Sequence, residues 1–315
     1  ITAELIFGSL VTYVMVLHTL LSFTMGFEIA VLIAFGAMIC WGIGDFLIQR
    51  TTRKIGDVET LAWIGIIGSI GLLPFVIREI SLITSWAHVG LLLVLGIVTF
   101  IAALANFEAL KKGKLSVIEI VMTLELPVTI LLALLFFGEQ LTLTQYAAAG
   151  AVFVGAILIA TEKFSHVPTL IKGLEKGVLL AIFGAIGMGL INFLTGASAK
   201  SLSPLLAIWV PWVIFTILCF IVIETRRDGI RSFGHHWKHY RWLIVFMGLF
   251  DTLAWLLYAF AVEGNEIALT IAITESYPAI ALFLGLWLNK EKINWHQYCG
   301  AALALGASVW LGFLS

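Results

Sequence analysis

Long apolar runs fill most of the chain and are separated by short charged or polar turns. Their lengths match the roughly 17–25 residues that a helix needs to cross a bilayer. They are too continuous for barrel strands of about ten alternating residues, and a segment in hydrocarbon must bond its own backbone polar groups. The pattern therefore predicts ten transmembrane helices. They cover residues 28–49, 61–77, 89–110, 115–137, 145–161, 177–195, 205–223, 242–262, 267–288 and 296–314.

The composition also indicates a membrane protein. Hydrophobic residues make up 61% of the chain and charged residues 12%, and the mean hydropathy is +1.07. Soluble domains are about 45–50% apolar and about 25% charged, so this composition excludes a soluble globular protein. The net charge of −1 provides no basic field for nucleic acid, and we expect no nucleic-acid partner.

No sequence motif indicates an enzyme. The chain has no glycine-rich phosphate loop after a strand, no zinc-ligand spacing and no nucleophile elbow. Cys40, Cys219 and Cys299 lie in apolar runs without disulfide or metal spacing, and we interpret them as small buried hydrophobic residues. We therefore expect no catalytic residue, no metal and no cofactor.

Residues 1–24 form a further apolar segment. It lacks the basic flank and the small-residue cleavage site of a signal peptide. Met25 directly precedes the first predicted span. The segment is therefore either an extra N-terminal transmembrane helix or an extension upstream of the natural start.

The chain contains two copies of one unit. FGAMICWGIGDFL in the first predicted span aligns with FGAIGMGLINFL in the sixth when one gap is allowed. GEQLTLTQY between the fourth and fifth spans aligns with NKEKINWHQY between the ninth and tenth. The sequence therefore divides into two repeats. The alignment pairs Asp45 with Asn192, Glu139 with Glu291, and Pro127 with Pro278.

The basic residues indicate that the repeats, 28–161 and 177–314, are inverted. Each repeat has five predicted spans, and an odd number turns the second copy upside down in the membrane. Sixteen of the 18 lysines and arginines follow spans 1, 3, 5, 7 and 9, whereas Arg78 and Lys200 lie on the other side. The positive-inside rule places the sixteen in the cytoplasm of a multi-pass cell-membrane protein and the C-terminus outside.

These features resemble the EamA-like transporters of the drug/metabolite transporter superfamily. The resemblance covers residues 28–314 and is carried by WGIGDFL in the first span and by a mid-span proline followed by FFGEQLTLTQYAAAGAVFVGAILIA. It implies an all-α fold of two inverted five-helix repeats that moves small metabolites, amino acids or drugs by alternating access. The second copy departs from the pattern because KEK replaces GE. The orientation also departs, because well-known members keep both ends of the ten-span core in the cytoplasm.

Five acidic residues lie well inside predicted spans, and no lysine or arginine does. A carboxylate at a helix centre costs about 2.5–3.5 kcal/mol on insertion scales, so each needs a proton, a water-filled cavity or a cationic ligand. The acids are Asp45, Glu119, Glu125, Asp251 and Glu275.

Glu125 and Glu275 are the leading candidates for a substrate or proton site. Both precede the matched prolines near mid-depth, so the pseudo-twofold axis brings them towards one central cavity. Pro127 and Pro278 are expected to break their helices and to free backbone carbonyls around residues 123 and 274. The alternative is that the two acids are structural locks between helices.

The other acids have two interpretations each. Asp45 is either a functional acid or the partner of Arg50 in an interfacial ion pair, and Asp251 is a third candidate at the centre of its span. Glu119 is either functional or an interfacial partner of the lysines that precede it. Those lysines are Lys111, Lys112 and Lys114.

Polar and aromatic residues in the spans complete the candidate site. Each polar residue either lines the cavity or bonds one helix to another, and the tryptophans either stack on a cationic ligand or serve packing. The polar candidates are Asn106, Asn192, Tyr258 and Tyr277, and the tryptophans are Trp41, Trp63, Trp209 and Trp212. HHWKH at 235–239 is predicted to be a loop that contacts lipid headgroups rather than a metal.

The sequence thus predicts a secondary carrier in the lipid bilayer for a small solute, either cationic or proton-coupled. The alternatives are a neutral-solute facilitator and a membrane-embedded enzyme or lipid-handling protein. The oligomeric state, monomer or homodimer, is open.

Overall fold

The computed structural model describes residues 27–137, 142–161, 174–225, 229–264 and 267–314, and these fold into helices. The predicted N-terminal segment 1–24 and Glu139 lie outside the described residues. The helices are α1 Phe27–Ile55, α2 Asp57–Val76, α3 Trp86–Lys112, α4 Leu115–Met122, α5 Glu125–Phe137, α6 Leu143–Ala160, α7 Val178–Ser201, α8 Pro204–Glu224, α9 Gly229–Gly264, α10 Ile267–Thr274, α11 Pro278–Trp287 and α12 Trp295–Leu314, with a 3-10 turn at Ile80–Leu82.

Eight helical segments of the described chain are long and apolar enough to cross a membrane. They correspond to the first eight predicted spans, and α4 and α5 together form the fourth. The ninth predicted span consists of the short helices α10 and α11, and α12 follows as a helix of 20 residues. The predicted all-helical architecture is confirmed.

The fourth and ninth spans are interrupted just before their prolines. Two residues separate α4 from α5, and three separate α10 from α11. The expectation of free backbone carbonyls is wrong. The Thr123 carbonyl accepts a hydrogen bond from the Leu126 amide at 3.1 Å, and the Thr274 carbonyl accepts one from the Tyr277 amide at 2.9 Å. Proline has no amide hydrogen, so the chain tightens into three-residue turns that satisfy these oxygens. Polar groups at the interruptions therefore come from side chains.

Helix α9 begins well before the predicted eighth span and is kinked at Tyr240, whose φ is −121° and ψ 17°. HHWKH, predicted to be a loop, is part of this helix. Trp63 of α2 stacks on Phe233 with ring centroids 4.1 Å apart, and His236 Nδ1 lies 2.7 Å from a Glu59 carboxylate oxygen. The polar first part of α9 is thus stabilised by contacts with α2, a distant part of the chain. The local sequence pattern therefore did not reveal the longer helix.

The contacts at helix ends show that the two halves run in opposite directions. Gln49 of α1 donates to the Leu110 carbonyl at the end of α3 at 3.2 Å, which places both ends on one face. Gly177 opens α7 on that same face, since an added Cβ there would lie 2.8 Å from the Ala109 carbonyl oxygen. The first helix of one half therefore ends where the first helix of the other begins. We call this the basic face, because Arg53, Lys54, Lys111, Lys112 and Lys114 lie at its helix ends.

Helix pairs follow the symmetry of the repeat. α1 packs on α9 and α3 packs correspondingly on α7, while α2 crosses α8 and α6 crosses α12. The α6–α12 crossing is close, because a Cβ on Gly155 would lie 2.6 Å from the Ala304 amide nitrogen. On the opposite face, Ser203 before α8 donates to Glu79 after α2, and Trp209 donates to the Ser69 carbonyl at 2.8 Å.

Large apolar side chains cover the outside of the bundle. Leu32 on α1 is 69% exposed, and Leu135 and Phe136 on α5 are 69% and 72% exposed. A soluble protein rarely exposes such a continuous apolar surface. These side chains form the surface that faces lipid, and the intramembrane polar side chains lie inside the bundle.

Candidate functional site

A cavity lies between the two halves. Its empty space, which includes the open mouth, is about 610 Å³. Both halves contribute to its walls. It is lined by Trp41, Asp45, Ile48, Leu61, Ile64, Thr99, Ala103, Asn106, Phe107, Glu125, Met188, Asn192, Trp212, Phe215, Asp251, Trp255, Glu275 and Tyr277.

Four of the five predicted intramembrane acids line this cavity. They are buried side chains carried by α1, α5, α9 and the interruption between α10 and α11. No lysine or arginine of the described residues lines it with them. The cavity therefore gathers four carboxyl groups without a basic partner in its described lining, and each one that is ionised makes the potential there more negative. The four acids are Asp45, Glu125, Asp251 and Glu275.

Glu125 and Glu275 meet in the cavity, one from each half. One oxygen of Glu125 accepts from the Tyr277 hydroxyl at 3.0 Å, and the other accepts from the Asn192 amide at 3.3 Å. Glu275 lies beside Glu125, and its Oε2 has no hydrogen-bond partner among the described residues. The interruptions before the matched prolines bring these groups to one place.

Asp45 is a cavity residue and does not pair with Arg50. Its side chain is 7% exposed and interacts with Asp251 across the α1–α9 contact. The Arg50 guanidinium lies over the Phe46 ring at 4.3 Å. Five residues rotate a helix by about 500°, so the two side chains leave α1 on different sides. The interfacial ion pair is therefore not formed.

The ion pair considered for Glu119 is also not formed. Lys111 and Lys112 bind Glu108 at 3.1 and 2.9 Å, and Lys114 binds Glu175 at 2.7 Å. The turn between α3 and α4 directs the lysines to the basic face, whereas Glu119 points inward and is 0% exposed. Glu119 is the one predicted acid that does not line the cavity.

Aromatic rings form much of the remaining cavity wall. Trp41 and Trp255 meet edge to face with centroids 5.0 Å apart, and Trp212 lies 5.9 Å from Trp255. Tyr277 lies 5.9 Å from Trp41. Ring faces beside carboxylates form a favourable environment for a cationic group. The indole nitrogen of Trp212 is buried without a partner among the described residues, which leaves a donor for a ligand.

The polar candidates divide between cavity and packing. Asn106 and Asn192 line the cavity, and the side-chain oxygen of each is unpartnered among the described residues. Tyr258 is fully buried outside the lining, and its hydroxyl donates to the Asn192 carbonyl at 3.0 Å. Trp63 and Trp209 are likewise absent from the lining and pack between helices.

Sequence reasoning missed Trp255 and Met188 as cavity residues. Trp255 follows Asp251 by four residues, so the two share a helix face. Met188 lies close to the position that the repeat alignment places opposite Trp41. Both signals were present in the sequence, but neither identifies the side of the helix that faces the cavity.

Comparison with known proteins gives the family. Both halves match the EamA-like transporter family, over residues 28–161 and 175–313. The chain belongs to the EamA-like transporter family. As an EamA-like transporter it is a multi-pass membrane protein that moves a small molecule, and it is not an enzyme. No curated protein matches the chain.

Solved structures share the fold of this EamA-like transporter. One crystal structure aligns with a TM-score of 0.65 over 91% of this chain and 97% of its own, at 15% sequence identity. At that identity the likeness concerns the fold alone. The chemistry of the cavity therefore depends on the residues of this chain and not on that likeness.

Proposed function

We propose that this EamA-like transporter is a secondary carrier that exchanges protons for a small solute bearing an amine or another cationic group. The supporting observation is the set of four carboxyl groups from both halves that share one aromatic cavity without a lysine or arginine among its described lining. The solute supplies the missing positive charge.

The energetics favour alternation between proton and solute. Several unpaired negative charges in a site of low polarity are strongly unfavourable, so the carboxyl groups require either protons or a bound cation. Glu125 already accepts hydrogen bonds from Tyr277 and Asn192, whereas Glu275 keeps one free oxygen. The entry of a cation displaces protons, and the departure of the cation requires them again.

Alternating access follows from the inverted halves. The repeats 28–161 and 177–314 rock about the central cavity, so that it opens to one face and then to the other. Contacts between α2 and α8 on the opposite face, including Ser203 with Glu79, separate when that side opens. The basic face is cytoplasmic and the C-terminus external, as the distribution of lysine and arginine favours.

The unpartnered oxygens of Asn106 and Asn192 favour a second candidate, a facilitator of neutral polar solutes. Such a solute would donate hydrogen bonds to these groups and require no charge. Its transport would be independent of a proton gradient, which separates it from the first candidate.

The test is solute flux in proteoliposomes with an imposed pH gradient. The panel contains quaternary ammonium compounds, primary amines and neutral amino acids, and the quaternary compounds exclude diffusion of an uncharged base. We expect cationic members to accumulate inside the liposomes when an outward proton gradient drives the exchange. Glu125→Gln and Glu275→Gln should abolish this accumulation, whereas Glu108→Gln on the surface should retain it. Flux of neutral solutes alone would favour the facilitator, and no flux of any class would contradict both.

A further inference from the structure

Glu119 differs from the other four intramembrane acids in its position. The other four line the cavity, whereas Glu119 lies behind the wall on α4 and is 0% exposed. Neither of its carboxyl oxygens has a hydrogen-bond partner with normal geometry among the described residues. Glu119 is not part of the cavity lining, but it interacts with Asp45 and Tyr277 of that lining, so a charge in the cavity affects it electrostatically.

The groups that face Glu119 are acids and a phenol. Asp45 approaches from α1, Glu125 from α5, and Tyr277 and Glu275 from the interruption between α10 and α11. No lysine or arginine of the described residues pairs with it. A charged Glu119 would therefore have neither solvent nor a cation beside it, and the Tyr277 hydroxyl, the donor that faces it, already bonds Glu125. A proton is the ligand that fits this place.

A second unpartnered group lies on the same side of α4. Ser116 precedes Glu119 by three residues, so the two side chains are neighbours along the helix. Its hydroxyl is buried and has no partner among the described residues. One step further, the partly exposed Glu291 carboxylate accepts from the amides of Leu115 and Ser116, at 2.9 Å each. Oxygen groups thus extend along α4 from the central acids to the basic face.

We propose that Glu119 holds the coupled proton on a carboxyl group separate from the solute site, and that Ser116 continues the proton route to the basic face. This rests on the proton-coupled transport proposed above. The proton leaves the Glu119 carboxyl group and is accepted by the Ser116 hydroxyl as that hydroxyl gives its own hydrogen towards Glu291. The side chains turn to form these hydrogen bonds, because neither the Glu119 oxygens nor the Ser116 hydroxyl has a partner among the described residues. The solute meanwhile binds Glu125 and its neighbours. Coupling arises because negative charges at the two sites repel each other, so a cation bound at the solute site favours loss of the proton from Glu119.

The test separates solute exchange from proton-driven accumulation. Proteoliposomes are loaded with the best cationic solute of the panel, and counterflow of labelled solute is measured at equal pH on both sides. Accumulation is measured separately with an outward proton gradient. We expect Glu119→Gln to retain counterflow while its accumulation falls to the level without a gradient. Ser116→Ala should slow accumulation and leave counterflow unchanged.

Two controls define the comparison. Glu108→Gln removes a surface carboxylate near the same face and should behave as wild type in both measurements. Glu125→Gln should lose both, because it alters the solute site. Wild-type accumulation in Glu119→Gln would overturn the proposal, as would joint loss of counterflow and accumulation in a variant that melts like wild type.

The outcome remains decisive if Glu119→Gln does not fold. Ser116→Ala removes one oxygen atom, and unaltered proton-driven accumulation in that variant would then refute the route. If wild-type protein shows counterflow without any response to pH, the proposed coupling itself fails. If the wild type and Glu119→Gln both show proton-driven accumulation, proton coupling stands and only the proton site at Glu119 is overturned.

Discussion

Glu291 connects two distant parts of the chain at the basic face, and its removal gives a measurable loss of stability. Its two carboxylate oxygens accept from the first amides of α4, those of Leu115 and Ser116, at 2.9 Å each. Both residues are 0% exposed, so these amides have no solvent to replace the carboxylate. The perturbation is Glu291→Ala, which leaves both amides without their acceptor.

The magnitude follows from these two bonds. A hydrogen bond to a charged group contributes about 1.5–3 kcal/mol, and loss of a helix N-terminal cap typically costs about 0.5–2 kcal/mol. Because Glu291 is partly exposed, we expect a total loss of ~2–3 kcal/mol for Glu291→Ala. Glu291→Gln retains one carbonyl acceptor and should lose about half as much. Glu108→Gln, which breaks only surface ion pairs, should cost ~0–1 kcal/mol.

The assay is thermal unfolding of the purified protein in detergent, followed by intrinsic tryptophan fluorescence and circular dichroism. The melting temperature should fall in the order wild type and Glu108→Gln, then Glu291→Gln, then Glu291→Ala. Equal melting of Glu291→Ala and Glu108→Gln would refute the reasoning, since the buried amides would then have found other partners at no cost.

Three further predictions use the same protein. Tyr277→Phe removes the 3.0 Å hydrogen bond to Glu125 and should lower stability by about 1 kcal/mol in the melting assay; an unchanged melting temperature would contradict this bond. Gly155→Leu should destabilise the α6–α12 crossing by at least ~1–3 kcal/mol, because its Cβ meets the Ala304 backbone, whereas Gly150→Leu on the same helix faces open space and serves as the matched control. A reporter fused to the C-terminus should be active outside the cell, and a cytoplasmic signal would reverse the proposed orientation.

The positions of most helices followed from local sequence. In hydrocarbon a segment must satisfy its backbone internally, so a long apolar run already specifies a helix without knowledge of its neighbours. α9 was the exception, because the polar stretch before Trp242 is helical only through its contacts with α2. An element stabilised by a partner in another part of the chain leaves no apolar run to detect.

The candidate site was predictable in composition and not in geometry. The sequence placed five acids in the spans and paired Glu125 with Glu275 through the repeat, but it could not separate Glu119 from the cavity. That separation depends on the rotation of α4, where each residue turns the helix by about 100° and the packing of α6, α7 and α11 decides which side faces inward.

Sequence alone determined the membrane helices and the presence of carboxyl groups without basic partners, because hydrocarbon imposes local requirements on backbone and charge. The doubled unit followed from alignment of the chain with itself. Tertiary structure alone decided which carboxyl groups face the cavity and which aromatic rings surround them. It also decided that Glu291 reaches Leu115 across 176 residues of chain. Such contacts depend on helix rotation and crossing, which are set by the whole bundle rather than by any single segment.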